Sequence, residues 1–184
     1  MAFSRRFSRG RGSRRSSHTA WAAYQTTFNP LAASSHETAV AFDPSPLLAV
    51  GNAPTVIRVR GELMIDPDFD PAGTGPTQWQ CGARICVCET APATWSATAL
   101  EDEDIIWAGI LGGSGNRFRT QLTAVGVETF GHITTNDREK IDTKAMRKLT
   151  EQDRVWFAIT NLTTSQPIEF KYTVFLRILY KIPR

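Results

Sequence analysis

The sequence has no uninterrupted apolar run of membrane-spanning length. Its longest candidates, such as IIWAGIL at 105–111, stop at glycines, far short of the roughly 18 residues a spanning helix needs. A membrane partner is therefore not expected. The start of the chain also lacks the apolar stretch of a secretory leader, because MAFSRRFSRGRGSRRSS is arginine, serine and glycine almost throughout. Cysteine is scarce. Cys81, Cys86 and Cys88 are an odd number at C-x4-C-x-C spacing, which offers neither a disulfide framework nor a paired C-x-x-C zinc site and points to a reducing compartment. Histidine is equally sparse: His18, His36 and His132 fall in no metal-protease spacing, and no serine stands in a G-x-S-x-G elbow. LGGSGNRFR at 111–119 lacks the G-K-[ST] ending of a phosphate-binding loop, and reads as a flexible turn carrying Arg117 and Arg119. These absences argue against an enzyme.

Acid is missing from one end of the chain. No Asp or Glu precedes Glu37, and residues 1–17 carry Arg5, Arg6, Arg9, Arg11, Arg14 and Arg15. The remaining 15 bases and 18 acids leave the rest at −3, although the whole chain sums to +3. A cationic leader on a mildly acidic body implies a polyanion partner for the leader. Two phenylalanines do not offset the entropy of ordering an arginine-rich, glycine-punctuated segment, so 1–17 is expected to be a disordered arm. Guanidinium groups interleaved with Phe3 and Phe7 suit phosphate contact and stacking on unpaired bases, hence single-stranded nucleic acid. The plainer readings are a solubilising tail or a targeting signal. Residues 18–36 add Trp21, Tyr24 and Phe28, and Asn29-Pro30 marks a turn. They read as a bridge between the arm and a body of residues 37–184.

In a chain of 184 residues there is room for one cored domain. From residue 37 short β-branched and aromatic runs alternate with Pro, Gly, Asn and Asp, the pattern of an all-β sandwich or barrel. In TVIRVRGELMI, Ile57, Val59, Gly61, Leu63 and Ile65 fall on one face, and Arg58, Arg60 and Glu62 on the other. IEFKYTVFLRILYKI alternates similarly, with a second face only half polar. TAVAF, QCGARICVCE, DIIWAGIL, TQLTAVGVETFGHIT and RVWFAITN supply further candidates, for about eight strands. DREKIDTKAMRKLTEQD reads either as a charged helix or as a strand ending near Met146 and Leu149.

Asp66, Asp68 and Asp70 have the D-x-D-x-D opening of a calcium loop, but Pro71 and Thr77 stand where glycine and glutamate are needed. A proline-stiffened polar loop is the stronger reading. Glu101 to Asp104 read as a solvated acidic run or as partners for a neighbouring subunit's arginines. Cys86 and Cys88 share one strand face and Cys81 takes the other, as buried apolar thiols rather than ligands. Trp79, Trp95, Trp107 and Trp156 suit either buried subunit interfaces or a single core.

The Arg-rich arm, the aromatic bridge and about eight strands resemble the single jelly-roll capsid proteins of small icosahedral viruses. TVIRVRGELMI, DIIWAGIL, and KIDTKAMRKL with a following D-x-V-x-F-x-I-x-N strand look most like capsid proteins of small circular Rep-encoding single-stranded DNA viruses, the circovirus and genomovirus group. The resemblance implies an eight-stranded viral jelly roll of two four-stranded sheets. It also implies self-assembly into a shell of roughly sixty copies with T=1 symmetry. The arm would then point inward, its six arginines on the phosphates of a circular single-stranded DNA genome. On the same resemblance the arm would double as a nuclear-import signal read by host import machinery, which would place the protein in the virion and, during assembly, in the host nucleus. Arg58 and Arg60 become either interior lining or an intersubunit salt bridge. No cofactor is implied. Two rivals stand beside this: a β-sandwich binding module for single-stranded nucleic acid or carbohydrate with a basic tail, and a jelly-roll hydrolase built on Asp66, Asp68 and Glu89.

Overall fold

A computed structural model describes residues 18–49, 51, 53–68, 77–96, 104–115, 133–136, 138–163 and 169–183. In chain order these form β1 (His18–Leu31), β2 (His36–Phe42), the short helix α1 (Ser45–Leu48), β3 (Thr55–Asp68), β4 (Thr77–Cys88) and β5 (Asp104–Gly115). They continue as β6 (Ile133–Asn136), β7 (Arg138–Lys148), β8 (Arg154–Asn161) and β9 (Glu169–Ile182). The fold is all-β, as expected.

The strands form two antiparallel sheets, ordered β1-β9-β3-β7 and β2-β8-β4-β5-β6. Consecutive strands β1 and β2 lie in opposite sheets, and the chain's last strand, β9, returns to sit between β1 and β3. Without β6, this is the doubled Greek-key order of a jelly roll. The second sheet exceeds the expected four strands because β6 adds to the outer edge of β5.

The bridge expected at 18–36 is drawn into the sandwich. β1 pairs with β9 from His18 opposite Ile182 to Leu31 opposite Phe170, with an irregularity between Thr26 and Asn29. Asn29-Pro30 therefore bends an edge strand instead of ending an element, and an edge tolerates a proline without a donor. The charged segment ambiguous between helix and strand is β7, which completes the free edge of β3. Only part of TQLTAVGVETFGHIT falls among the described residues, at β6.

The core follows strand alternation. Phe170, Tyr172, Val174, Leu176 and Ile178 of β9 are all at most 3% exposed, and each fully buried side chain of this kind stabilises by about 1.5–3 kcal/mol. Val59, Leu63 and Ile65 of β3 face the same core. Ile57 does not, contrary to the simple alternation. A bulge between Val56 and Arg58 inserts one residue, so Val56 is the buried one. Gly61 has a steric role: a Cβ there would collide with the backbone carbonyl oxygen of Phe175 on the neighbouring strand.

The two sheets differ on their outer faces. Residues 89–96 lie over β4 and β8 of the second sheet, where the Arg84 guanidinium donates to the Ala93 carbonyl and lies 5.9 Å from the Trp95 ring centroid. Gly82 makes room for that ring, since an added Cβ would approach it to 2.6 Å. His36 bridges strand and cover, its ring nitrogens 2.8 Å from Thr160 Oγ1 and 3.0 Å from the Pro92 carbonyl. Trp156 Nε1 donates to the Cys88 carbonyl at 3.1 Å. Beneath this cover Arg84 and Thr160 are buried. The expected cysteine parity appears: Cys81 is in the core, while Cys86 Sγ lies 3.8 Å from Cys88 Sγ on the other face. Burial pushes the Cys81 thiol up.

Candidate nucleic-acid interface

The outer face of the first sheet carries the basic residues. Strand register arranges its outward side chains in rows across β1, β9, β3 and β7. One row runs Trp21, Leu179, Arg58 and Lys144; the next runs Ala23, Arg177, Arg60 and Asp142; the third runs Gln25, Phe175, Glu62 and Lys140. Successive rows stand roughly 7 Å apart and strands about 4.8 Å apart, so these side chains form one contiguous field.

The acids in this field are engaged. Asp142 accepts a forked pair of hydrogen bonds from Arg58, Nε at 2.6 Å and Nη2 at 2.7 Å, and lies 3.4 Å from Arg60 Nε. The Arg58 hydrogen bond, helped by the charges of both arginines, holds the Asp142 carboxyl below the usual carboxylate range. Hydrogen bonding to Asp142 likewise holds the Arg58 guanidinium above its ordinary value. Glu62 is paired with Arg138 Nε at 3.0 Å. Arg177, Lys140 and Lys144 have no ion-pair partner among the described residues. A shallow depression of about 390 Å³ is lined by Arg60, Glu62, Lys140, Asp142, Phe175 and Arg177, among others.

Aromatic surface is exposed in the same field. Phe175 is 41% and Trp21 42% exposed. The Arg177 guanidinium lies over the Trp21 ring at 4.9 Å from its centroid, which extends the cation flat along the sheet. The other tryptophans have partners within the chain: Trp79 is buried beside Phe170, Trp107 packs on the core, and Trp95 and Trp156 belong to the cover of the second sheet.

Of the residues singled out in the sequence, Arg58 and Arg60 are both on this face, tied to Asp142 of their own chain. Arg5, Arg6, Arg9, Arg11, Arg14 and Arg15 lie outside the described residues, which begin at His18, opposite Ile182 and next to Lys181. Asp66 is exposed opposite Lys171, the Asp68 backbone pairs with Glu169, and Asp70 lies outside the described residues. Among the described residues no three His, Cys, Asp or Glu side chains are grouped to hold a metal ion. The acids of the hydrolase reading are dispersed, with Asp66 on the first sheet and Glu89 beyond β4 of the second. Asp104 pairs with Arg147 of its own chain at 2.6 Å. Glu101 to Glu103, Arg117, Arg119 and His132 lie outside the described residues.

No protein-family model matches the chain, and no curated protein does. Among solved structures it is similar to cocksfoot mottle virus, at 9% identity and a TM-score of 0.38, over 100% of this chain and 91% of that one. Turnip yellow mosaic virus matches at 12% identity and 0.34, over 92% and 95%. The infectious bursal disease virus VP2 subviral particle matches at 11% and 0.30, over 94% of this chain and 38% of that one. Similarity this remote adds nothing to the strand order read from the chain itself.

Proposed function

We propose that the protein is a viral coat protein that assembles into a small icosahedral shell, of roughly sixty copies with T=1 symmetry, around a circular single-stranded DNA genome. It has no catalytic role in this reading. The observation that carries the proposal is a jelly roll whose open sheet face is cationic and whose first strand follows in sequence on an acid-free stretch with six arginines. Cations at the arm and on the sheet serve one polyanion, and closed assembly gives it a container. The arm would also serve nuclear import, with the protein in the host nucleus during assembly and in the virion afterwards.

The test is size-exclusion chromatography with negative-stain microscopy of the full chain and of a variant lacking residues 1–17. Full-length protein should elute as particles far larger than 20.4 kDa with co-purifying nucleic acid. The truncated protein should still form shells, with encapsidated nucleic acid severely reduced. The arm's six arginines account for about 4 of the log–log salt slope on single strands, at roughly 0.7 per phosphate. Solitary molecules in every buffer would refute assembly and leave the binding-module reading. Undiminished nucleic acid in truncated shells at high salt would refute the role of the arm.

A further inference from the structure

We infer that the open face of the first sheet holds a base-stacking subsite for single-stranded nucleic acid, with Phe175 and the Trp21–Arg177 pair as its platforms. This inference rests on the nucleic-acid half of the proposed function and adds a second contact, separate from the arm.

Phe175 and Trp21 are among the few exposed large apolar side chains of the described residues, and they stand on the same side of the same sheet. Trp21 is opposite Leu179 in register, so the two platforms are four residues apart along β9, a span of roughly 13 Å. Arg177 stands between them on β9. Cations flank the line on the other side, with Arg60 beside Arg177 and Lys140 in the row of Phe175. Arg177 and Lys140 are free of acidic partners among the described residues, and both line the depression together with Phe175.

An aromatic ring left two-fifths exposed on a charged sheet loses hydrophobic stabilisation unless a partner covers it. Bases are partners of suitable chemistry, since each presents a π-face and carries a phosphate on either side for the neighbouring cations. A duplex hides those faces and offers mainly phosphates, so the aromatic spacing selects unpaired strands. A second copy of this chain would bring its own like-charged field against the same surface, which electrostatics opposes.

The experiment uses the full-length protein and a thymidine oligonucleotide of about 20 residues carrying 5-iodouracil, cross-linked by long-wavelength light and mapped by mass spectrometry. Adducts are expected on Phe175 or Trp21. Adducts confined to residues 1–17 would overturn the inference while leaving the arm's role intact. In parallel, Phe175→Ala should weaken oligonucleotide binding by about 5- to 150-fold, the range for one lost base–aromatic stack, with the salt slope unchanged. Phe175→Leu, which preserves the apolar surface, should show most of that loss if stacking is the cause. Arg177→Gln should instead flatten the slope by about 0.7. If these variants bind the oligonucleotide normally but elute as smaller species, the face is a subunit contact and the inference fails. If the protein never forms particles yet Phe175 controls binding, the subsite stands and the shell proposal fails.

Discussion

Asp142→Asn gives the sharpest reading of the cationic face. The wild-type carboxylate receives both prongs of the Arg58 guanidinium, at 2.6 and 2.7 Å, and lies 3.4 Å from Arg60 Nε. An asparagine keeps the shape but loses the charge, and its amide turns donors toward a group that can only donate. Arg58 and Arg60 are then released toward solvent. If each gains one phosphate, the log–log salt slope for an oligo-thymidine should steepen by about 1.4, at roughly 0.7 per contact. Between about 0.05 and 0.2 M salt, the variant's affinity advantage should shrink about sevenfold. Fluorescence anisotropy across that range measures it. The wild-type carboxyl is held low by the Arg58 hydrogen bond, so its folded value lies below its unfolded one. The ion pair is therefore intact above an unfolded value of about 4 and is lost only as pH falls through the depressed folded value. Wild type should keep its shallower slope from about pH 5 to 8 and approach the variant only in stronger acid. An unchanged or flatter slope in Asp142→Asn would refute the assignment of Arg58 and Arg60 to phosphate.

Two further predictions concern the fold that carries this face. Tyr172 donates to Glu37 Oε2 at 2.7 Å and accepts from Asn29 at 2.9 Å, linking the two sheets, so Tyr172→Phe should cost about 1–3 kcal/mol and lower Tm by about 2–12 °C. Burial and the Glu37 hydrogen bond push the Tyr172 hydroxyl up. Its stabilisation is thus complete below the unfolded value of about 10 and lost as pH rises beyond it; the phenylalanine variant should blunt the alkaline unfolding of wild type, and an identical alkaline transition would refute this. Gly82→Ala would set a methyl against the Trp95 ring and should loosen residues 89–96, seen as faster Cys86 and Cys88 labelling by a thiol reagent while core Cys81 stays protected. Unchanged labelling rates would show that the cover is held elsewhere.

The strands legible in the sequence are those whose two faces differ in chemistry. β9 buries Phe170 through Ile178 on one parity and exposes Lys171, Phe175 and Arg177 on the other, so alternation alone locates it. β7 offers only Ile141 as a buried residue along its inward side, and a single apolar position fits a helix or a strand equally well. What decides it is the open edge of β3, which no local pattern reveals. β1 is built of small and polar residues with interspersed aromatics, and it is a strand because β9 offers a pairing partner 14 residues long. The bulge at Ile57 was equally invisible, since one inserted residue reverses parity without changing composition. The same limit applies to the site. Arg58 and Arg60 stood out by spacing, whereas Asp142, 84 residues from Arg58, could be joined to them only by the sheet.

The asymmetry between the two sheets follows from where polar groups find partners. In the second sheet, Arg84 meets the Ala93 carbonyl and the Trp95 ring of the segment folded over it, His36 lies between the Thr160 hydroxyl and the Pro92 carbonyl, and the Thr160 hydroxyl accepts from the Trp95 backbone N–H. That face keeps its Arg84 guanidinium buried beneath the cover. The first sheet has no such cover among the described residues, and Lys140, Lys144 and Arg177 are left facing solvent. Each contact between an unpaired cation and a single-strand phosphate adds about 0.7 to the log–log salt slope, so on the proposed reading it is this sheet, not the covered one, that would add to the arm's contacts. His18, the first described residue after the arginine-rich stretch, lies opposite Ile182 and next to Lys181. In the proposed shell the arm and this face would serve one polyanion, which would put the face on the interior side.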